Sequence, residues 1–290
     1  MQQFVILTDS SCDLPAELAQ QLQLEVVPLS VTVEEDTYKN YLDGREISAK
    51  AFYDKIREGK KVFTSAVNIN TFIETMEPLL QQGKDVLYLG FSSGLSSTYS
   101  AGAAAAQELA EKYPQRKIYT VDSLCASMGQ GLLLYWMVQQ KNAGKTIEEV
   151  RDYAEETKWK ICHWFTVEDL MQLKKGGRVS ATTAIVGTVL NIKPVMHMDT
   201  LGKLAAVGKV RGRKASIRAL FKKMEERVVM PEGQMIYISH GDCEAEARLL
   251  EDMIRQQWPV KDVVLNNVGP VIGAHTGPGV IALFFLGDVR

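Results

Sequence analysis

The sequence is poor in the residues that mark several familiar protein classes. Its 290 residues include only four cysteines and four histidines. A disulfide framework or a structural zinc site needs closely paired ligands, and neither residue type shows such pairing. We therefore predict reduced thiols, which favour a cytoplasmic protein, and no metal site. The scattered cysteines are Cys12, Cys125, Cys162 and Cys243.

Long apolar runs and excess charge of one sign are also missing. No run approaches the roughly 20 residues of a membrane span. The opening residues "MQQFVILTD" carry no basic region ahead of their apolar run, so a signal peptide is not predicted. The net charge of −2 argues against nucleic-acid binding by bulk electrostatics. Neither a GxxxxGK[ST] nor a GxGxxG pattern occurs, so no nucleotide or other cofactor is expected.

The first half of the chain alternates short apolar runs with longer helical patterns. Strands that alternate with helices predict βαβ units and a mostly parallel sheet covered on both faces. We therefore predict an α/β domain over residues 1–158. Its strands are predicted at 4–8, 24–31, 86–91 and 118–122.

The pattern changes near residue 158. The stretch "ICHWFTV" predicts a strand, and "IKPVMHMD" and "KLAAVGKV" predict a hairpin around "TLG". A helix of small residues, "ATTAIVGTVL", is predicted just before the hairpin. Three further apolar stretches predict strands near the end of the chain. Residues 159–290 are thus expected to form a second, α+β domain with a mixed sheet.

Polar, glycine-rich stretches occur where predicted strands end. "TDSSCDL", "GFSSGLSST" and "VDSLCASMGQG" follow strands of the first domain, and "FTSAVN" and "GPVIGAHTGPG" have the same composition. Each stretch alone is explained by helix capping. In a parallel sheet, however, the carboxyl ends of the strands share one edge. Together the stretches predict a cleft lined with hydroxyls and backbone donors, which suits an anionic ligand.

A serine nucleophile is an alternative reading of the same residues. "GFSSG" matches GxSxG around Ser92, with Ser93 beside it. The chain order Ser…Asp…His of such hydrolases is met by Ser92, Asp122 and His275, and Asp9 is a second candidate for the acid. A serine hydrolase acting on an acyl ester therefore remains open at this point.

The segment from residue 203 to 227 is strongly basic. It carries nine Lys or Arg residues against Glu225 and Glu226. On a slightly acidic protein, this imbalance predicts contact with an anionic partner. Phe221 is the one aromatic residue in the segment, which argues against stacking on single-stranded nucleic acid.

Eight motifs, taken in order, resemble those of one family. They are "TDSSCDL", "TSAVN", "SSGLSST", "VDS", "LKKGGRVS", "IKPV", "KVRGRKA" and "GPVIGAHTGPG". Over its whole length the sequence resembles the DegV-like fatty-acid-binding proteins, the acyl-carrying partners of bacterial fatty acid kinase. The resemblance implies a long-chain fatty acid whose tail is buried in the second domain. It also implies that the carboxylate lies at the domain junction, near Thr64, Ser93 and His275.

The resemblance implies a carrier without catalysis of its own. A separate fatty acid kinase catalytic subunit would phosphorylate the bound carboxylate, which places the protein in phospholipid metabolism. The lipid cargo allows transient membrane contact without a membrane span. Ser65 and Ser92 are secondary site candidates, and Arg178 matches a family arginine near the junction. Docking of the kinase is assigned to three arginines of the basic segment, Arg211, Arg213 and Arg218.

The sequence departs from the family pattern at two places. The family often has Gln-Pro where this chain has Ala66 and Val67, and it usually has Gly where Ser97 stands. Thr64 and Ser65 are retained ahead of the first departure. The predicted carboxylate anchor is therefore kept, while the neighbouring loop contacts differ.

Overall fold

The computed structural model describes residues 3–179 and 191–290 of the chain. Its strands form a four-stranded sheet, a three-stranded sheet and a six-stranded sheet. The strands are β1 (Phe4–Asp9), β2 (Glu25–Val27), β3 (Ser30–Val33), β4 (Asp36–Lys39), β5 (Val62–Ser65), β6 (Asp85–Gly90), β7 (Ile118–Asp122), β8 (Ile161–Thr166), β9 (Ile192–Met198), β10 (Leu204–Arg211), β11 (Met235–His240), β12 (Asp262–Asn267) and β13 (Ile281–Leu286).

Helices connect and cover these sheets. In the described ranges, no helix combines the length and the apolar character needed to cross a bilayer. The helices are α1 (Ala16–Gln21), α2 (Ala49–Arg57), α3 (Ile69–Gln81), α4 (Thr98–Lys112), α5 (Met128–Asn142), α6 (Ile147–Thr157), α7 (Leu170–Lys175), α8 (Arg213–Arg227), α9 (Glu244–Gln257) and α10 (Pro270–Thr276).

The first half contains the predicted parallel sheet. Its strand order is β2-β1-β6-β7, and every pairing is parallel. All six positions of β6 are buried, as expected for a strand covered on both faces. The predicted α/β fold class is thereby confirmed. The polar stretches after β1, β6 and β7 begin at the same edge of the sheet.

The prediction of one strand over residues 24–31 is wrong. The segment divides into β2, which joins the parallel sheet, and β3, which pairs with β4 and β5 in a small antiparallel sheet. Pro28 lies between them and has no N–H for a ladder hydrogen bond, so the pairing ends there. The "FTSAVN" stretch, predicted only to precede a helix, begins within β5.

The six-stranded sheet contains strands from after residue 160 only. Its order is β10-β9-β8-β13-β11-β12, with β11 and β12 parallel and the remaining neighbours antiparallel. The predicted mixed sheet and the β9–β10 hairpin are confirmed. The predicted small-residue helix over 181–190 lies outside the described residues. The division at residue 158 stays a prediction.

Helix α5 joins the two halves. It contacts β8, β11 and β13 of the six-stranded sheet. Residues of the parallel sheet, of α5 and of the six-stranded sheet share one continuous hydrophobic core. Close approach depends on Gly129, because a Cβ at this position would overlap the ring of buried His163 on β8. The first turn of α5 is therefore pressed directly against the second sheet.

A side chain at Gly129 should force these layers apart. Because the surrounding core is closely packed, we expect Gly129→Ala to lower the free energy of unfolding by about 1–3 kcal/mol. Urea denaturation measures this change. Gly208→Ala is the matched control, since a Cβ there would meet Val195 at an ordinary 3.7 Å. Equal stability of the two variants would contradict the role given to Gly129.

Candidate functional site

A cavity of about 280 Å³ lies between the two halves of the chain. This volume is close to the lower end, roughly 300 Å³, of sites that hold small organic ligands. Most of its wall is apolar, and hydroxyl, imidazole and guanidinium groups occupy a few places. The apolar wall includes Phe91, Leu95, Phe165, Met198, Val271 and Phe284.

Thr64 and His275 form a polar contact on this wall. Their side chains come from β5 and α10, which are 211 residues apart, and Thr64 Oγ1 lies 2.9 Å from His275 Nε2. Both residues line the cavity. Two of the three residues predicted to hold an anion are thus brought together, with a hydroxyl and an imidazole facing one space.

His275 is held in its neutral form. Burial, and to a smaller extent the positive charge of Arg178, lower the pKa of His275 to about 4. A neutral imidazole donates one hydrogen bond and accepts another. The site therefore presents hydrogen-bond donors to a ligand, while its fixed positive charge comes from Arg178.

Arg178 and Ser65 lie at the exposed side of the cavity. Both side chains are exposed, and both residues contribute to the lining. Arg178 donates from Nε to the carbonyl of Leu95 at 3.4 Å and from Nη1 to the carbonyl of Gly176. These contacts tie the guanidinium to loops from both halves of the chain, next to the opening.

Ser92 has a structural role in this fold. Its buried hydroxyl donates to the carbonyl of Gly202 at 2.7 Å and accepts from the N–H of Gly94 at 3.2 Å. Gly202 lies in the turn of the β9–β10 hairpin. Ser92 thereby fastens that turn to the loop after β6.

The serine hydrolase alternative is not supported. Ser92 bonds to Gly202, while the His275 imidazole bonds to Thr64. Asp122 accepts from the backbone N–H groups of Ser93 and Leu124, at 3.2 and 3.1 Å. The other candidate acid, Asp9, accepts from neighbours of its own that include Ser11 and Tyr88. In the ranges described, no histidine is hydrogen-bonded to Ser92 or Ser93, so neither serine has the partner that a Ser-His-Asp triad requires.

Ser93 does not join Thr64 and His275 in this structure. Its side chain is exposed and is not part of the cavity lining. Ser96 and Ser97, which follow in the same loop, line the cavity instead. The contact between Ser93 and a carboxylate therefore stays a prediction.

Ala66 and Ser97, where the chain departs from the family pattern, both face the cavity.

Ser127 and Ser239 were missed as site residues by sequence reasoning, and they line the cavity as a hydrogen-bonded pair 3.0 Å apart. Ser127 lies in "VDSLCASMGQG", one of the polar, glycine-rich stretches, but nothing in the sequence links it to Ser239.

The three arginines assigned to docking differ in their surroundings. Arg211 and Arg218 are exposed. Arg213 forms an ion pair with Glu246 at 2.7 Å, and its side chain is only 16% exposed. Arg213 is therefore engaged within the protein, whereas the other two are accessible to a partner.

The family follows from comparison with known proteins. Residues 3–288 match the DegV family, which is described as an uncharacterised protein family. The chain belongs to the DegV family. A DegV domain-containing protein from Clostridium perfringens is 45% identical over 290 residues, covering 100% of this chain and 99% of the relative.

Solved structures of DegV proteins share the fold. A DegV lipid-binding protein from Thermotoga maritima is 30% identical, with a TM-score of 0.86 and full coverage of both chains. A fatty-acid-binding DegV family protein from Thermus thermophilus is 29% identical, with a TM-score of 0.88, and covers 99% of this chain and 100% of its own. The predicted family is thereby confirmed.

The pKa of His275 provides a direct test of the site. We expect NMR titration to give a value of about 4, well below the ordinary 6.5. Arg178→Gln should raise this pKa because a nearby positive charge is removed, but burial should keep it below 6.5. Arg57→Gln is the control, since Arg57 pairs with Asp54 and Asp242 elsewhere. An ordinary pKa in the unaltered protein would contradict the burial of this imidazole.

Proposed function

We propose that this DegV protein binds a long-chain fatty acid and presents its carboxylate for phosphorylation by a separate kinase subunit. The observation that carries the proposal is a mainly apolar cavity with the Thr64–His275 pair on its wall. The lipid-binding and fatty-acid-binding DegV structures of the same fold support it. The protein then acts as a carrier and has no catalysis of its own.

Burial of the acyl chain supplies most of the binding free energy. About 15 methylenes at ~0.8 kcal/mol each give a gross gain of roughly 12 kcal/mol. Loss of translational freedom and ordering of the flexible chain offset a large share of this. The carboxylate must also keep hydrogen bonds, since an unpaired buried charge is strongly unfavourable. Thr64 and neutral His275 share one hydrogen bond, so one of their two protons stays free. When His275 Nε2–H donates to Thr64 Oγ1, the Thr64 hydroxyl proton is available for the carboxylate.

The polar end suits a carboxylate that must still react. Neutral donors hold the oxygens by hydrogen bonds, without a buried ion pair that would neutralise the charge. Arg178 is exposed beside the opening, where it favours the anion and stays accessible to a partner. A carboxylate held this way keeps an oxygen available as the phosphoryl acceptor, and its fixed position favours transfer.

The proposal predicts a fatty acid in the purified protein. Organic extraction of protein prepared without added lipid, followed by mass spectrometry, should release long-chain fatty acid in near-stoichiometric amount. A protein that stays empty after incubation with such fatty acids would overturn the proposal.

Removing the hydroxyl of Thr64 should weaken carboxylate binding. Thr64→Val keeps the side-chain shape but leaves the charged group short of a donor, at a cost of about 1.5–3 kcal/mol. We expect roughly tenfold to hundredfold weaker binding of a fatty acid and a smaller loss for the alcohol of equal length. Ser93→Ala tests the remaining predicted donor in the same titration. Equal losses for acid and alcohol would show that the altered residue does not contact the carboxylate.

Kinase docking is expected to involve the exposed arginines. Reversing Arg211 and Arg218 to Glu should abolish phosphorylation of bound fatty acid by a kinase subunit and ATP, with affinity for the fatty acid nearly unchanged. Arg213 is left intact because its ion pair with Glu246 supports the fold. The control reverses Lys60 and Lys160 to Glu, because both are exposed and the change in net charge is the same. Similar loss in both double variants would argue against a docking site.

A further inference from the structure

A second hydrogen-bonded pair of polar side chains lines the same cavity as the Thr64–His275 pair. Ser239 on β11 and Ser127 at the start of α5 line the wall, with 0% and 5% of their surfaces exposed. Their Oγ atoms lie 3.0 Å apart. On the neighbouring strand, Ala282 and Phe284 continue the wall with apolar side chains. The two hydroxyls are thus set within a surface suited to an acyl chain.

The backbone at Ser127 is turned to make this arrangement. Ser127 precedes the first residue of α5, where a serine hydroxyl ordinarily caps the free N–H groups. Here the hydroxyl makes no capping bond, and the residue adopts φ 51° and ψ −146°. Non-glycine residues rarely adopt this conformation, and it occurs preferentially at functional positions. The hydroxyl instead donates to Oδ2 of Asp13 at 2.6 Å.

The direction of these hydrogen bonds is fixed once Asp13 is ionised. Burial raises the pKa of Asp13 to about 7, so at about pH 8.5 its carboxylate only accepts. Ser127 must then donate to Asp13, and Ser239 must donate to Ser127. In the described part of the chain, no group donates to Ser239 Oγ. Its free lone pairs line the cavity and can accept from a ligand.

From this chain of hydroxyls we propose a second subsite, at Ser239, that accepts a hydrogen bond from a hydroxyl group carried on the acyl chain. The ligand class is therefore a hydroxylated long-chain fatty acid, bound in addition to unsubstituted ones. The inference rests on the proposed fatty-acid function and specifies its substrate class. A ligand amine is disfavoured because its charge would be buried in an apolar wall. A ligand carbonyl meets no free donor, since the Ser239 proton is already used.

Positional isomers of a hydroxylated fatty acid test the subsite. Titrations at about pH 8.5 would compare the unsubstituted acid with acids whose hydroxyl is moved along the chain. A buried hydroxyl without a partner should weaken binding roughly tenfold or more. At the one position that reaches Ser239 the affinity should equal or exceed that of the unsubstituted acid. The fatty acid with a keto group at the same position should still bind weakly.

Two serine variants sharpen the test. Ser239→Ala should lower the affinity for the acid hydroxylated at the matching position roughly tenfold relative to the unsubstituted acid measured in the same variant. Ser127→Ala frees the Ser239 proton, which can then donate to a ligand carbonyl. The affinity for the keto fatty acid should therefore rise in this variant. Ser97→Ala, which removes another lining hydroxyl, should keep the preference for the matching position. Circular dichroism and thermal denaturation show whether each variant is folded.

Other outcomes would overturn the subsite. Equal weakening at every hydroxyl position would mean that the pair serves the fold or holds only water. Recovery that survives Ser239→Ala would assign the acceptor elsewhere, for example to Nε2 of His163, which has no partner in the described residues. Weak binding of every hydroxylated acid, with unsubstituted acid bound tightly, would reject the subsite and leave the proposed function standing. Failure of both classes would reject both.

Discussion

The close seating of α5 on the six-stranded sheet is the constraint on which the cavity depends. Gly129 lets the helix approach until the His163 ring fills the space where a side chain would stand. The same approach brings the start of the helix level with β11, so Ser127 reaches Ser239. The shared core around α5 and the Ser127–Ser239 contact are therefore both set by this interface. A cavity between layers keeps its shape only while those layers keep their spacing.

The fold was largely predictable because its signals are local. Alternating apolar runs and helical patterns indicate a parallel sheet without any knowledge of distant contacts. The error at residues 24–31 arose where apolar character continued through Pro28 while the backbone pairing did not. Strand pairing depends on N–H groups as well as on hydrophobicity. A proline inside an apolar run therefore favours a break in the strand even where the hydrophobic pattern continues.

The site was predictable only in part, since it is assembled from distant segments. Thr64 and His275 were identified through motif resemblance, and their contact spans 211 residues. Ser92 and Ser93 are chemically equivalent in the sequence, and only the turn decides which hydroxyl is buried against Gly202. Ser127 and Ser239 have no local pattern that pairs them. Composition identifies the kinds of groups at a site, whereas their grouping is a property of the tertiary fold.

The turn fastened by Ser92 has a consequence for how such sequences can diverge. A Cβ at Gly94 would overlap the carbonyl oxygen of Leu201, and a Cβ at Gly202 would overlap the Ser92 hydroxyl. Gly202 also has φ +67°, which disfavours other residues. The backbones at Gly94 and Gly202, more than a hundred residues apart in the chain, thus lie close together, and neither glycine has room for a side chain. A side chain at Gly94 would require the backbone at 201–202 to move, and one at Gly202 would require Ser92 and Leu124 to move. We therefore expect relatives that keep this turn to keep glycine at both positions.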